Sequence, residues 1–218
     1  MTIKPSAQLI ELLTSHKTWV TSAGKTGKQL LLEDANFSNL DLSNTDLTEA
    51  ILPGASLDGA ILRQSDLFGA NFASASLIEA DLGQALLNKS NFDHATLAKA
   101  NFRRARMIRA TFVDADLSEA DLSEADLTKS NFSGANLEGA ILSNAKLDNI
   151  ALTGARLFRV ELRGAKGLDS ISAEWIDVGE KGEPVILTGD EIQEWLVSTS
   201  KDNRKRSHSY SNVKMQAA

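Results

Sequence analysis

Few residues of this chain have the chemistry to act on a substrate. Its 218 residues include three histidines, His16, His94 and His208, and no cysteine. Without thiols there is no thiolate nucleophile, iron–sulfur centre or Cys-ligated zinc, and the three histidines have no metal-ligand spacing. Gly24-Lys25-Thr26-Gly27-Lys28 superficially suggests a phosphate loop. The full GxxxxGK(S/T) motif is missing, Gln29 occupies the hydroxyl position and no clear strand precedes it, so the segment reads as a loop. The 29 Asp and Glu are spread along the chain rather than paired around a cleft, as acid–base hydrolysis requires. The expectation is a non-enzyme without catalytic residues, cofactor or metal.

Charge is more informative. Lys89, Lys99, Arg103, Arg104, Arg106 and Arg109 form a basic band interrupted only by Asp93. Asp114, Asp116, Glu119, Asp121, Glu124 and Asp126 follow directly. Two readings stay open: the bands pair with each other locally, or they steer a protein partner into register. The second makes Lys99, Arg103, Arg104, Arg106, Arg109, Asp116, Glu119, Asp121 and Glu124 the candidate protein-contact surface. Net charge is 23 − 29 = −6, which discourages nucleic-acid binding without forbidding it. The end of the chain reverses sign: Lys201, Arg204, Lys205, Arg206 and Lys214 against Asp202 give +4. Such a tail either keeps the protein in solution or touches nucleic acid, anionic lipid or a neighbour's acidic body.

The elements that hold these groups follow from an unusual period. From Leu32 to Leu162 every fifth residue is large and apolar: twenty Leu, six Phe and Met107 at twenty-seven positions. Two residues before each stands Ala, Ser or Thr in twenty-three cases, the exceptions being Leu30, Leu40, Ile150 and Val160. Five residues of α-helix turn about 500°, so the leucines would wind around the whole surface. In a flat strand, steps of five alternate between faces. A chain that turns a corner every five residues satisfies both columns. Four sides make a square coil of about twenty residues, each side turning one large and one small side chain inward. Parallel ladders then join the coils at about 4.8 Å per step.

The run ADLSEADLSEADLTKSNF from Ala115 displays the unit A-(D/N)-(L/F)-x-x, in which the chain resembles the pentapeptide-repeat family over about 130 residues. That resemblance implies an all-β fold, a right-handed quadrilateral parallel β-helix, here roughly 31 Å long. Uninterrupted rods with short caps are similar to bacterial proteins common in cyanobacteria, some of them implicated in regulation. Other members protect DNA gyrase from quinolones or inhibit it, as acidic rods resembling duplex DNA. Residues 32–165 carry 12 basic and 19 acidic groups, 12 − 19 = −7. This is sparse beside duplex DNA, with one charge per about 1.7 Å. No loop is inserted between coils, and the basic band would interrupt a phosphate-like surface. The first functional expectation is therefore a non-catalytic scaffold or regulator for an unidentified protein partner, with DNA gyrase or topoisomerase binding second.

Phe72, Phe92, Phe112 and Phe132 fall twenty residues apart and predict an aromatic ladder inside the rod. Asp41, Asp81, Asn101 and Asp121 should organise turns. Both rod ends need covering, because a bare coil exposes backbone. Residues 1–29 supply a helical cap, with a helix over 5–19 that places Pro5 in its first turn, and a loop over 20–29. The β-helix spans 30–166, with its register breaking at Gly167. Residues 167–197 read as a strand–strand–helix module: EWIDV, PVIL around a turn at Glu180–Glu183, then a helix behind the capping box Thr188–Glu191. Trp175 and Trp195 would seat this module on the last coil. Related gyrase-interacting rods dimerise through C-terminal elements, which raises a homodimer through the helix of Trp195. Residues 198–218 read as a disordered basic tail. No apolar run reaches the roughly 18 residues of a membrane span, and no signal-peptide core opens the chain. A cytoplasmic protein without membrane insertion is expected.

Overall fold

The computed structural model describes residues 3–201. Residues 31–166 wind into a right-handed quadrilateral β-helix, and the parallel bridges within this span each join a residue to the one twenty further on. One side illustrates the bonding. Ile51 donates its N–H to the Leu30 carbonyl at 2.9 Å and accepts from Leu32 at 2.9 Å. The Leu52 carbonyl takes the Ala55 N–H across the corner at 3.3 Å. Most backbone groups of each pentad thus bond the coils above and below or close the corner.

The inward columns close the core. Leu57, Leu77, Leu97 and Leu117 are fully buried, as are Ala60, Ala80, Ala100 and Ala120 beside them. Phe72, Phe92, Phe112 and Phe132 stack with centroids 5.1, 5.1 and 4.7 Å apart, and Phe102 stands edge-on to Phe92 and Phe112. Where serine replaces alanine, its hydroxyl finds a carbonyl: Ser65 donates to Leu42 at 2.9 Å and Ser130 to Met107 at 2.7 Å. The interior is not perfectly filled. Near the C-terminal end Leu147, Leu152, Ile171 and Leu196 are among the residues lining an apolar void of about 10 Å³. It offers a water no polar partner.

Every corner, two residues after each large core residue, has positive φ, from Asp34 at 52° to Gly164 at 71°. This is the third position of a type II turn. Aspartate or asparagine just before the core residue steadies the corner: Asp121 accepts the Ser123 N–H at 2.9 Å and Asn101 that of Arg103 at 3.0 Å.

Helix α1 (Ala7–Thr21) covers the first coil. Ser6 is its N-cap, accepting the Leu9 N–H at 3.2 Å, so Pro5 stands outside the helix rather than in its first turn. The helix also runs two residues beyond the expected end. Ahead of it, Ile3 pairs with the first coil, donating to Asn39 at 2.8 Å and accepting from Asp41 at 2.9 Å. The GKTGK segment folds back along α1. A side chain on Gly27, at φ 77°, would collide with the Ser15 carbonyl, so only glycine fits there.

At the other end the rod extends past Lys166. A short 3₁₀ turn, Leu168–Ser170, adds one residue, after which the ladder resumes as Ala151↔Ser172 and Arg156↔Asp177. Strand β1 (Trp175–Asp177) is therefore both a side of the last coil and one half of an antiparallel pair with β2 (Ile186–Thr188). Helix α2 (Asp190–Lys201) follows, with the Thr188 N–H donating to the Glu191 carboxylate at 3.2 Å. It takes in residues 198–201, expected from the sequence to belong to the tail. The remaining tail, 202–218 with His208, lies outside the described residues.

Candidate protein-contact surface

We number the four sides by their first core residues: side 1 from Leu32, side 2 from Phe37, side 3 from Leu42 and side 4 from Leu47. A run of charges along the sequence wraps around all four, because each pentad turns the corner. The nine candidate residues accordingly do not form one surface. Lys99 and Glu119 stand on the corner between sides 2 and 3, both exposed. Asp116 lies on side 2, accepting from Ser118 and Asn136 at 3.0 Å each. Asp121 lies on side 3, occupied by its turn.

Arg103, Arg104 and Glu124 come together at the edge between sides 3 and 4. Arg103 reaches one Glu124 oxygen at 2.6 Å and Arg104 the other at 2.7 Å. The bonds from Arg104 and then Arg103 hold the Glu124 carboxyl below the usual carboxylate range. These basic residues thus follow the local-pairing reading.

Arg106 and Arg109 do not. Arg106 is exposed on side 4, and its neighbour along the ladder, Asp126, is engaged by Lys146 at 3.3 Å. Arg109 lies on the adjoining corner between Lys89 and Lys129, one coil to either side. None of these four basic groups, Lys89, Arg106, Arg109 and Lys129, makes an ion pair among the described residues. Between them lie three apolar side chains outside the core. Phe68 and Leu86 are 37% and 36% exposed, Ile108 is partly buried, and the Lys89 ammonium stands 5.2 Å from the Phe68 ring centre. Sequence order hides this patch, since Phe68, Leu86 and Ile108 are about twenty residues apart. Writing the sequence in rows of twenty brings them together.

At the C-terminal end, Trp195 is 7% exposed and joins Ile192 and Leu196 in the core. This face of α2 closes the last coil. The exposed large apolar groups of the module are Trp175, Ile186 and Val197. Trp175 lies against Gly154, whose added Cβ would be 3.3 Å from the indole, so this tryptophan seats on the outside of the rod. Among the described residues no His, Asp and Glu cluster has the arrangement of a metal site, and no helix is long and apolar enough to cross a membrane.

Two solved structures share this fold. Two trypsin-treated forms of QnrB1, a plasmid-mediated fluoroquinolone resistance protein, are 24% and 25% identical to this chain, each with a TM-score of 0.57. The matches cover 61% and 62% of this chain and 68% of each of theirs. HetL, a pentapeptide repeat protein involved in heterocyst differentiation regulation in the cyanobacterium Nostoc, is 25% identical over 74% of this chain and 95% of its own, with a TM-score of 0.27. No curated protein matches the chain significantly in sequence. The family model for pentapeptide repeats matches in eight copies at 31–64, 65–104, 105–144 and 135–166, the same stretch that builds the square ladder. With sequence unit, corner and core all in agreement over more than half its length, the chain belongs to the pentapeptide-repeat family.

Proposed function

We propose that the protein is a non-catalytic, cytoplasmic scaffold or regulator that presents a rigid solenoid face to a protein partner. The observation that carries this reading is side 4, where Lys89, Arg106, Arg109 and Lys129 surround Phe68, Leu86 and Ile108 without ion-pairing partners among the described residues. A backbone fixed on every side by ladder bonds loses little freedom on association, so even a modest surface can support specific binding. The test is affinity capture with the full chain as bait, comparing wild type with Arg106→Ser/Arg109→Ser and with Arg103→Ser/Arg104→Ser. A partner lost with the first pair and retained with the second supports the reading; identical captures from all three overturn side 4 as the contact.

The likeness to a fluoroquinolone resistance protein favours a second reading, binding to DNA gyrase. The ladder steps by twenty from Leu31 to Lys166 without an inserted loop, and the basic groups of side 4 break its acidic surface, which weigh against it. Supercoiling by purified gyrase with and without the protein decides the matter. Inhibition or quinolone protection that fades with salt would bring this reading forward. Self-association through the C-terminal module would draw its apolar contacts from Trp175, Ile186 and Val197 rather than from Trp195, which is buried.

A further inference from the structure

The geometry points to an acidic amphipathic helix as the occupant of side 4: three apolar knobs, Phe68, Leu86 and Ile108, ringed by the cations of Lys89, Arg106, Arg109 and Lys129. This rests on the scaffold reading and adds the chemistry of the partner. Phe68 and Ile108 occupy the same column two coils apart, about 9.6 Å at the strand spacing. A helix advances about 10.5 Å between residues i and i+7, so apolar side chains at i, i+4 and i+7 meet Phe68, Leu86 and Ile108 in turn. The basic corner of Lys89, Arg109 and Lys129 runs parallel to that line and would face carboxylates on one flank, with Arg106 facing the other.

The backbone argument selects a helix over an extended segment. Side 4 is not a sheet edge, because its N–H and C=O groups already bond the coils above and below. It therefore has no strand to add to, and an incoming peptide must satisfy its own backbone. Charge limits the length. Asp46 and Glu49 lie one coil before the patch, Asp66 shares the coil of Phe68, Asp126 shares that of Lys129 and is engaged by Lys146, and Asp148 lies one coil beyond. A long polyanion such as duplex nucleic acid would run into all of these carboxylates, whereas a helix of about three turns over Phe68, Leu86 and Ile108 reaches Asp66 with its N-terminal end and stops short of Asp46, Glu49 and Asp148. The same gradient orients the helix, its positive N-terminal end toward Asp46 and Asp66 and its negative C-terminal end toward Lys129 and Lys146.

The experiment selects peptides of about 15 residues from a display library on the full-length chain, counter-selecting on Leu86→Asp. Leu86 shares its column with Asp66 and Asp126, so aspartate there suits the fold. The expected winners carry apolar residues at i, i+4 and i+7 with flanking Glu or Asp. The leading peptide should lose about tenfold in affinity or more against Leu86→Asp or Arg106→Ser/Arg109→Ser, and little against Arg103→Ser/Arg104→Ser. Winners that are basic or proline-rich, or none that depend on Leu86, overturn the proposal. So does tighter binding of a duplex oligonucleotide or a phosphatidylglycerol vesicle than of the leading peptide, lost with the same variants. A cellular partner that still requires Arg106 and Arg109 while no acidic helix is selected would leave the scaffold reading standing and remove this one alone.

Discussion

At a corner the backbone must enter the left-handed region, and side chains branched at Cβ resist it. None of the twenty-seven corner residues, Asp34 to Gly164 in steps of five, is Val, Ile, Thr or Pro; all are glycine or unbranched polar and charged residues. Much of the rod's charge, including Lys99, Arg104, Arg109, Glu119 and Glu124, stands where corner geometry admits it. Gln64→Val should therefore cost about 1–2 kcal/mol and Gln64→Gly little or nothing, read from urea midpoints. Equal midpoints for the two would refute a steric origin. His16 is the other residue with a specific local demand. It is fully buried, its Nδ1 accepts the Leu30 N–H at 3.0 Å, and Nε2 has no partner. Burial pushes its pKa down, opposed more weakly by the charge of Asp46 and the Thr48 backbone. A depressed pKa means that the unfolded chain takes up the proton first. The stabilisation is complete above about pH 6.5 and is lost as pH falls from there through the folded value. Thermal melts from pH 8 to 5 should show this loss in wild type and a flatter profile in His16→Gln.

The elements at the two ends solve one problem in different ways. Helix α1 lays a face across the first coil. The C-terminal module instead grows out of the ladder, since β1 is at once a coil side and half of a hairpin. Asp177 holds that junction: one carboxylate oxygen accepts Gly179 and Val185 N–H groups at 2.9 and 3.0 Å, the other the Arg156 guanidinium at 2.7 Å. Asp177→Ala should cost about 2 kcal/mol, because it leaves two backbone donors without their acceptor and Arg156 with Glu138 alone. Chemical denaturation reads that loss, and a midpoint equal to wild type would show that the junction is held elsewhere. Trp195→Ala should lower the melting temperature while leaving the mass in sedimentation unchanged, as expected of a plug over the last coil. A change of mass without loss of stability would instead make α2 an interface.

Over the whole molecule, stability is a sum of neighbouring coils, so position matters as much as residue type. Leu97 sits mid-rod and is fully buried. Leu97→Asp loses about 1.5–3 kcal/mol of burial and adds the larger cost of a carboxylate in a dry core. It should unfold the coils on both sides together. Hydrogen exchange resolved along the chain tests this: protection should collapse from the middle outward, and protected coils on both flanks of a local defect would contradict it.

The period of five excluded an α-helix and a flat strand and required a corner every pentad, while the right-handed, four-sided coil followed from the resemblance to pentapeptide repeats. The phenylalanine ladder and the turn-forming aspartates followed from the same rows. What tertiary structure decided is which residues share a surface. Neighbours in sequence are carried around a corner, while residues twenty apart are brought to adjacent coils. The basic band read from Lys89 to Arg109 thus separates into Arg103 and Arg104, which share the single carboxylate of Glu124, Lys99 on the corner between sides 2 and 3, and Lys89, Arg106 and Arg109 beside Phe68, Leu86 and Ile108. The extra residue at Leu168–Ser170 that lets the ladder resume also belongs to the folded chain, because a one-residue slip is visible only against the coil it rejoins.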